Sequence, residues 1–128
     1  MTVLAFVFAA LAALLHVWIF VMESLRWEHP RTRRTFQMSA TEAAATREMA
    51  FNQGFYNLFL AVMALVGLVL LASDETPVGR ALILAGCGSM LGAAVVLVAR
   101  SPERLRAGLA QGTAPFLAVV FVVLAAVV

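Results

Sequence analysis

Four apolar stretches decide what this chain can become. They run from Val3 to Met22, from about Gly54 to Ala72, from Ala81 to Ala99, and from about Ala107 or Thr113 to Val128. Each holds roughly the 16–22 mainly apolar residues that a helix needs to cross the hydrocarbon of a bilayer. There, each backbone N–H and C=O must be satisfied within its own segment, so runs of this length become helices. The segments left between them are too short for a soluble domain. A composition 63% hydrophobic and only 12% charged lies well outside the soluble range and agrees. The expectation is an all-α fold: one four-helix transmembrane domain over residues 1–128.

The basic residues set an orientation. All nine are arginine. Arg26, Arg31, Arg33, Arg34 and Arg47 lie between spans one and two, and Arg100, Arg104 and Arg106 between spans three and four. The remaining connection, "SDETPVGR", has Asp74, Glu75 and a single Arg80. By the positive-inside rule both arginine-rich connections belong in the cytoplasm and both termini outside. Topology thus accounts for the charge, and no nucleic-acid partner is needed to explain it. The first apolar run lacks a basic leader and a small-x-small cleavage site and is too long for a signal peptide, so it reads as a retained helix. Cys87, the one cysteine, can form no disulfide within the chain.

Local signals punctuate the connections. Pro30 should end the first helix before it. "SATE", from Ser39 to Glu42, fits a capping box, and the residues after it favour helix. The second helix is therefore expected to start near Ala40 and extend beyond the bilayer on the cytoplasmic side. Pro77 and Gly79 mark the outer turn. Gly88 and Gly92 form a GxxxG in span three, which suits either close packing inside the bundle or a homo-oligomer seam. Pro115 either begins the fourth helix, with Thr113 as cap, or kinks it.

Polar residues are costly in hydrocarbon, so their depth is informative. At 1.5 Å per residue, His16 lies roughly 5 Å to the cytoplasmic side of the first span's midpoint, with Glu23 about 10 Å further. "NQGFYN" places Asn52, Gln53, Tyr56 and Asn57 at the cytoplasmic head of the second span, with Glu48 before them and Gln111 at the same end of the fourth. The outer halves of the spans carry no ionisable group. At 100° per residue, His16, Phe20, Glu23 and Trp27 form one stripe. Glu48, Asn52, Gln53, Tyr56 and Asn57 cover about half of the second helix, and Phe51, Gly54, Phe55 and Leu58 the other half. Together they outline a pocket open to the cytoplasm and closed outward.

Plainer roles exist for each residue. Asn52, Gln53 and Asn57 suit interhelical hydrogen bonds. Glu23 and Glu48 suit interfacial ion pairs with Arg26 or Arg47, and His16 a neutral buried hydrogen bonder. Trp18 and Trp27 fit interfacial or lipid-facing positions. The Glu-x-x-His spacing of di-iron bundles is absent, and neither a metal nor a cofactor is expected.

"HVWIFVMESLRW" (16–27) resembles a His-aromatic-Ile…Glu…Trp signature, and "NQGFYNLFLA" (52–61) an Asn-Gln-Gly-x-Tyr-Asn-x-Phe-Leu-Ala signature. Both are similar to those of the DUF1304 family of small bacterial membrane proteins, a domain of unknown function. "QGTAPFLA" (111–118) matches that family's Gln-Gly-x-Pro-Ala pattern loosely, with the proline one place later, and "VLVARSPERL" departs from its small-residue pattern. The resemblance implies a four-helix protein of the bacterial inner membrane with His16, Glu23, Trp27, Asn52, Gln53, Tyr56 and Asn57 at motif positions. It implies no reaction.

The functional expectation is a pocket for a membrane lipid or another lipophilic small molecule. His16 and Glu23 would be its acid–base pair, and Trp27, Glu48, Asn52, Gln53, Tyr56, Asn57 and Gln111 its binding residues. The alternatives are a small homodimeric transporter and a non-catalytic membrane accessory subunit.

Overall fold

The chain is an all-α, four-span membrane protein. A computed structural model describes residues 1–73 and 75–127. Asp74, between the second and third spans, and Val128, at the end of the fourth, lie outside the described residues. The first span is α1 (Thr2–Phe20), continued by a π-helical turn at Val21–Leu25. Two short helices follow, α2 (Pro30–Thr35) and α3 (Ala40–Ala45). The remaining spans are α4 (Arg47–Ala72), α5 (Thr76–Arg100) and α6 (Leu105–Val127), the last entered through a 3-10 turn at Pro102–Arg104. Each span packs on two neighbours, in the cyclic order α1, α4, α5, α6, with α1 and α5 on a diagonal.

Small residues hold the spans close. In lipid, helices associate by packing rather than by hydrophobic exclusion, so the side chains at the seams must let backbones approach. Ala5, Ala9, Ala12 and Ala13 form the inward face of α1, and Ala61 and Ala64 that of α4. Ile83, Cys87, Met90 and Val122 fill the centre, and Phe8 of α1 stacks on Phe121 of α6 with ring centroids 5.6 Å apart. Among the glycines, the closest approach of backbone to backbone joins α4 and α5. A Cβ on Gly79 would stand 2.6 Å from the Leu71 backbone nitrogen and 2.8 Å from the Gly67 carbonyl oxygen. Only glycine fits both sides of that contact.

Several local expectations change here. Ser39 and Glu42 form the capping box, yet the long helix expected from Ala40 is two helices divided at Thr46, whose backbone leaves helical geometry (φ −107°, ψ 7°). The first helix does stop before Pro30, at Leu25, but Pro30 itself occupies the first turn of α2, where its missing N–H costs no bond, behind a His29 cap. Pro115 neither starts nor ends a helix but lies buried within α6, and Thr113 Oγ1 donates to the Leu109 carbonyl instead of capping. Pro77 and Gly79 lie in α5 rather than in the turn before it. Gly88 and Gly92 have open space where a Cβ would stand, so the GxxxG does not pack inside this bundle.

The end of the bundle away from the arginine-rich connections has its own fastening. Arg80 of α5 donates from an Nη to the Ala125 carbonyl of α6 at 2.7 Å. The last carbonyls of a helix have no partner within it, and a guanidinium supplies both the hydrogen and the charge that the helix C-terminus favours.

Candidate functional site

The polar end of the bundle is built where the last turn of α1 widens. Glu23 and Ser24 lie in the π-helical turn, a form found mostly as single turns inside α-helices and often at functional sites. A wider turn advances each side chain by less than 100°, so residues beyond Val21 leave the α-helical stripe. Trp27 is past the helix altogether, because the chain departs from helical geometry at Arg26 (φ −135°).

Opposite this turn runs the start of α4, and the two antiparallel segments are laced together in order. Asn57 Nδ2 donates to Glu23 Oε2 at 2.8 Å. Ser24 Oγ donates to the Phe51 carbonyl at 2.8 Å, and Trp27 Nε1 to Thr46 Oγ1 at 3.1 Å. Arg47 pairs with Glu28 at 3.6 Å. The Trp27 ring also packs edge-on against Phe36, with centroids 4.9 Å apart, which ties the connector to the seam. Gly54 makes the close approach feasible: a Cβ there would collide with Ser24 Oγ and lie 2.9 Å from the Ser24 nitrogen.

Beside the seam opens a cleft of about 890 Å³. Of the residues singled out above, Glu23, Trp27, Glu48 and Asn52 line it. Ser24, Glu28 and His29 line it as well, and the sequence reasoning passed them over. A glycine inside the polar motif of α4 was the available signal for Ser24, since it marks where another chain comes close. The lining carries the carboxylates of Glu23, Glu28 and Glu48 and the guanidinium groups of Arg26 and Arg47. Among the described residues the ion pair formed is Arg47–Glu28, not the Glu23–Arg26 or Glu48–Arg47 pairing considered above. No three His, Cys, Asp or Glu side chains among the described residues gather as metal ligands.

The remaining candidates fall elsewhere. His16 lies deeper, is only 2% exposed, and does not line the cleft. Its Nδ1 donates to the Ala12 carbonyl at 2.9 Å, so the neutral ring carries its free lone pair on Nε2. Asn57 also donates to the Gln53 carbonyl at 3.1 Å, which occupies both its amide hydrogens. Gln53 and Tyr56 are exposed on α4, Tyr56 to 64%. Gln111 is half-buried on α6 beside the inward residues Gly108, Gly112 and Pro115, away from the cleft lining. The face of α4 toward α1 is therefore the Gly54–Asn57 side. The expected polar half of that helix is split between the seam, the cleft and the outer surface.

No curated protein and no solved structure matches the chain. Residues 10–123 match the family model described as "Protein of unknown function (DUF1304)", and that range contains both polar motifs and all four spans' central parts. The chain therefore belongs to the DUF1304 family, small multi-pass integral proteins of the bacterial inner membrane.

Proposed function

We propose that the cleft at the α1–α4 seam is a cytoplasm-facing binding site for a lipophilic small molecule, with Glu23 as its proton-carrying group. The Asn57–Glu23 hydrogen bond carries this reading. It holds a carboxylate in one orientation at the edge of the membrane-spanning part, with Oε2 occupied and the group at the wall of an open cleft. A carboxylate so placed can give or take a proton from a bound molecule. Trp27, Glu48 and Asn52 contact the ligand, whereas His16 acts from behind them through Nε2. Gln53, Tyr56 and Gln111 lie outside the cleft and have no contact with the ligand in this reading. The arginine distribution supports a cytoplasmic mouth with both termini outside. The open surroundings of Gly88 and Gly92 leave room for a second copy of the chain, which the small homodimeric transporter reading would require.

The decisive experiment compares Glu23→Gln, Asn52→Ala and His16→Ala in the purified protein, screened against membrane extracts for a retained lipophilic ligand. Glu23→Gln keeps the shape and the Asn57 bond but removes the titratable proton. It should retain ligand and lose turnover, while Asn52→Ala should lose the ligand with the fold intact. Ligand retention and turnover unchanged in all three would reject the site. For orientation, a periplasm-active reporter fused after Val128 should be active and one fused within residues 29–38 inactive; the reverse would turn the cleft outward.

A further inference from the structure

On the far side of the bundle from the cleft, α5 and α6 enclose an apolar groove of about 480 Å³. Its floor is small, with Ala94 and Gly108 buried, and its sides are Val98, Ala99, Leu105 and Phe116. At one end the groove runs into three arginines. Arg100 follows Ala99 directly, and Arg104 and Arg106 stand on either side of Leu105. All three are exposed, and among the described residues none of their guanidinium groups makes a hydrogen bond or an ion pair. The acidic neighbour in this connection is Glu103, also exposed, so the end of the groove keeps a net positive charge.

From this we infer that the α5–α6 groove is a binding site for an anionic phospholipid, with an acyl chain along the groove and the headgroup phosphate among Arg100, Arg104 and Arg106. The geometry matches the molecule. An α5 of 25 residues is about 38 Å long against a hydrocarbon core of about 30 Å, which brings Arg100 to headgroup level. A lipid joins its charge to its chain in this same order, and basic pockets between spans are where anionic headgroups bind. A partner helix would fit the apolar part alone, because it would need acidic residues placed opposite all three arginines. Topology explains why arginines are in this connection, but it requires no groove beside them. The site shares no residue with the cleft, so it stands independently of the function proposed above.

Native mass spectrometry tests it on the purified full-length protein, offered dioleoyl phosphatidylglycerol or dioleoyl phosphatidylcholine at equal concentration. Phosphatidylglycerol should be retained preferentially, by about fivefold for each arginine engaged. The triple variant Arg100→Gln, Arg104→Gln, Arg106→Gln should retain both lipids alike. Ala99→Phe, on an exposed position that fills the groove without touching the charge, should lower phosphatidylglycerol retention several-fold while the arginines remain. Equal retention of the two lipids by the unaltered protein would overturn the inference. So would a loss in the triple variant with none in Ala99→Phe, which is headgroup attraction without a groove. A loss in Ala99→Phe with none in the triple variant is chain packing without anion recognition, and equally defeats it.

Discussion

Asn57 of α4 and Glu23 of the π-helical turn meet amide to carboxylate at 2.8 Å, and among the described residues theirs is the one side-chain hydrogen bond that joins the chain's two polar motifs. Interhelical hydrogen bonds in membranes contribute about 1 kcal/mol each. Asn57→Leu should therefore lower unfolding stability in detergent by about that amount, since it leaves Glu23 without its donor. Glu23→Gln, which can still accept from Asn57, should cost less. A double-mutant cycle on the two positions reads the coupling, and a value near zero would show the bond to be incidental.

Two glycines should respond in opposite directions. Gly54→Ala pushes a methyl into Ser24, and forced overpacking typically costs about 1–3 kcal/mol. Ser24→Ala, which removes the colliding hydroxyl, should recover part of it. Gly92→Ala meets nothing and should gain about 0.5–1 kcal/mol from the helix preference of alanine over glycine. Chemical unfolding in detergent measures both. A marked loss for Gly92→Ala, accompanied by a shift to a smaller species on sizing, would instead locate a subunit seam there.

Arg80→Met should loosen the C-terminal end of α6. The substitution keeps most of the apolar stem but removes the donor to the Ala125 carbonyl, a charge-assisted bond of about 1.5–3 kcal/mol when well sheltered. Arg80 is only half-buried, so the lower part of that range applies. Amide exchange should accelerate in the last turn of α6 and leave α1 and α4 unchanged.

Acid should fray α3. Glu42 accepts from the Ser39 backbone N–H at 2.7 Å, and that bond, helped by the Ser39 hydroxyl, holds its carboxyl below its ordinary value. Because the folded-state value is the lower one, the stabilisation is complete above the unfolded-state value and disappears as pH falls through the folded one. Exchange at Ala43–Thr46 should rise over that acid range. Glu42→Gln preserves the reciprocal cap and should abolish the pH dependence, whereas Ser39→Ala should raise exchange at every pH.

The polar site shows how far one-dimensional periodicity reaches. The depth of Glu23 and Asn57 was readable, because rise along a helix scales with residue number whatever the helix packs against. Their angular relations were not. The π-helical turn shifts Glu23 off the His16 stripe, and its presence depends on how the α1 terminus packs on α4. Gly54 fell in the half of the second helix opposite the polar residues, but its missing side chain made it the contact point for Ser24. Trp27 looked like the next position along a helix that had already ended.

What the amino-acid order determined alone was the number of spans, their helical form, the capping box at Ser39 and Glu42, and the gathering of polar residues at one end. These follow from local terms: apolar length against bilayer thickness, backbone satisfaction in hydrocarbon, and hydrogen bonds between near neighbours in the chain. Tertiary packing alone decided that Asn57 rather than Asn52 meets Glu23, that Arg47 pairs with Glu28, that Arg80 closes α6, and that Gly67 and Gly79, not Gly88 and Gly92, bring two helices together. Each of those contacts depends on the rotation of one helix about its axis relative to another. In a bundle whose seams are rich in alanine and glycine, few large side chains announce that rotation in advance.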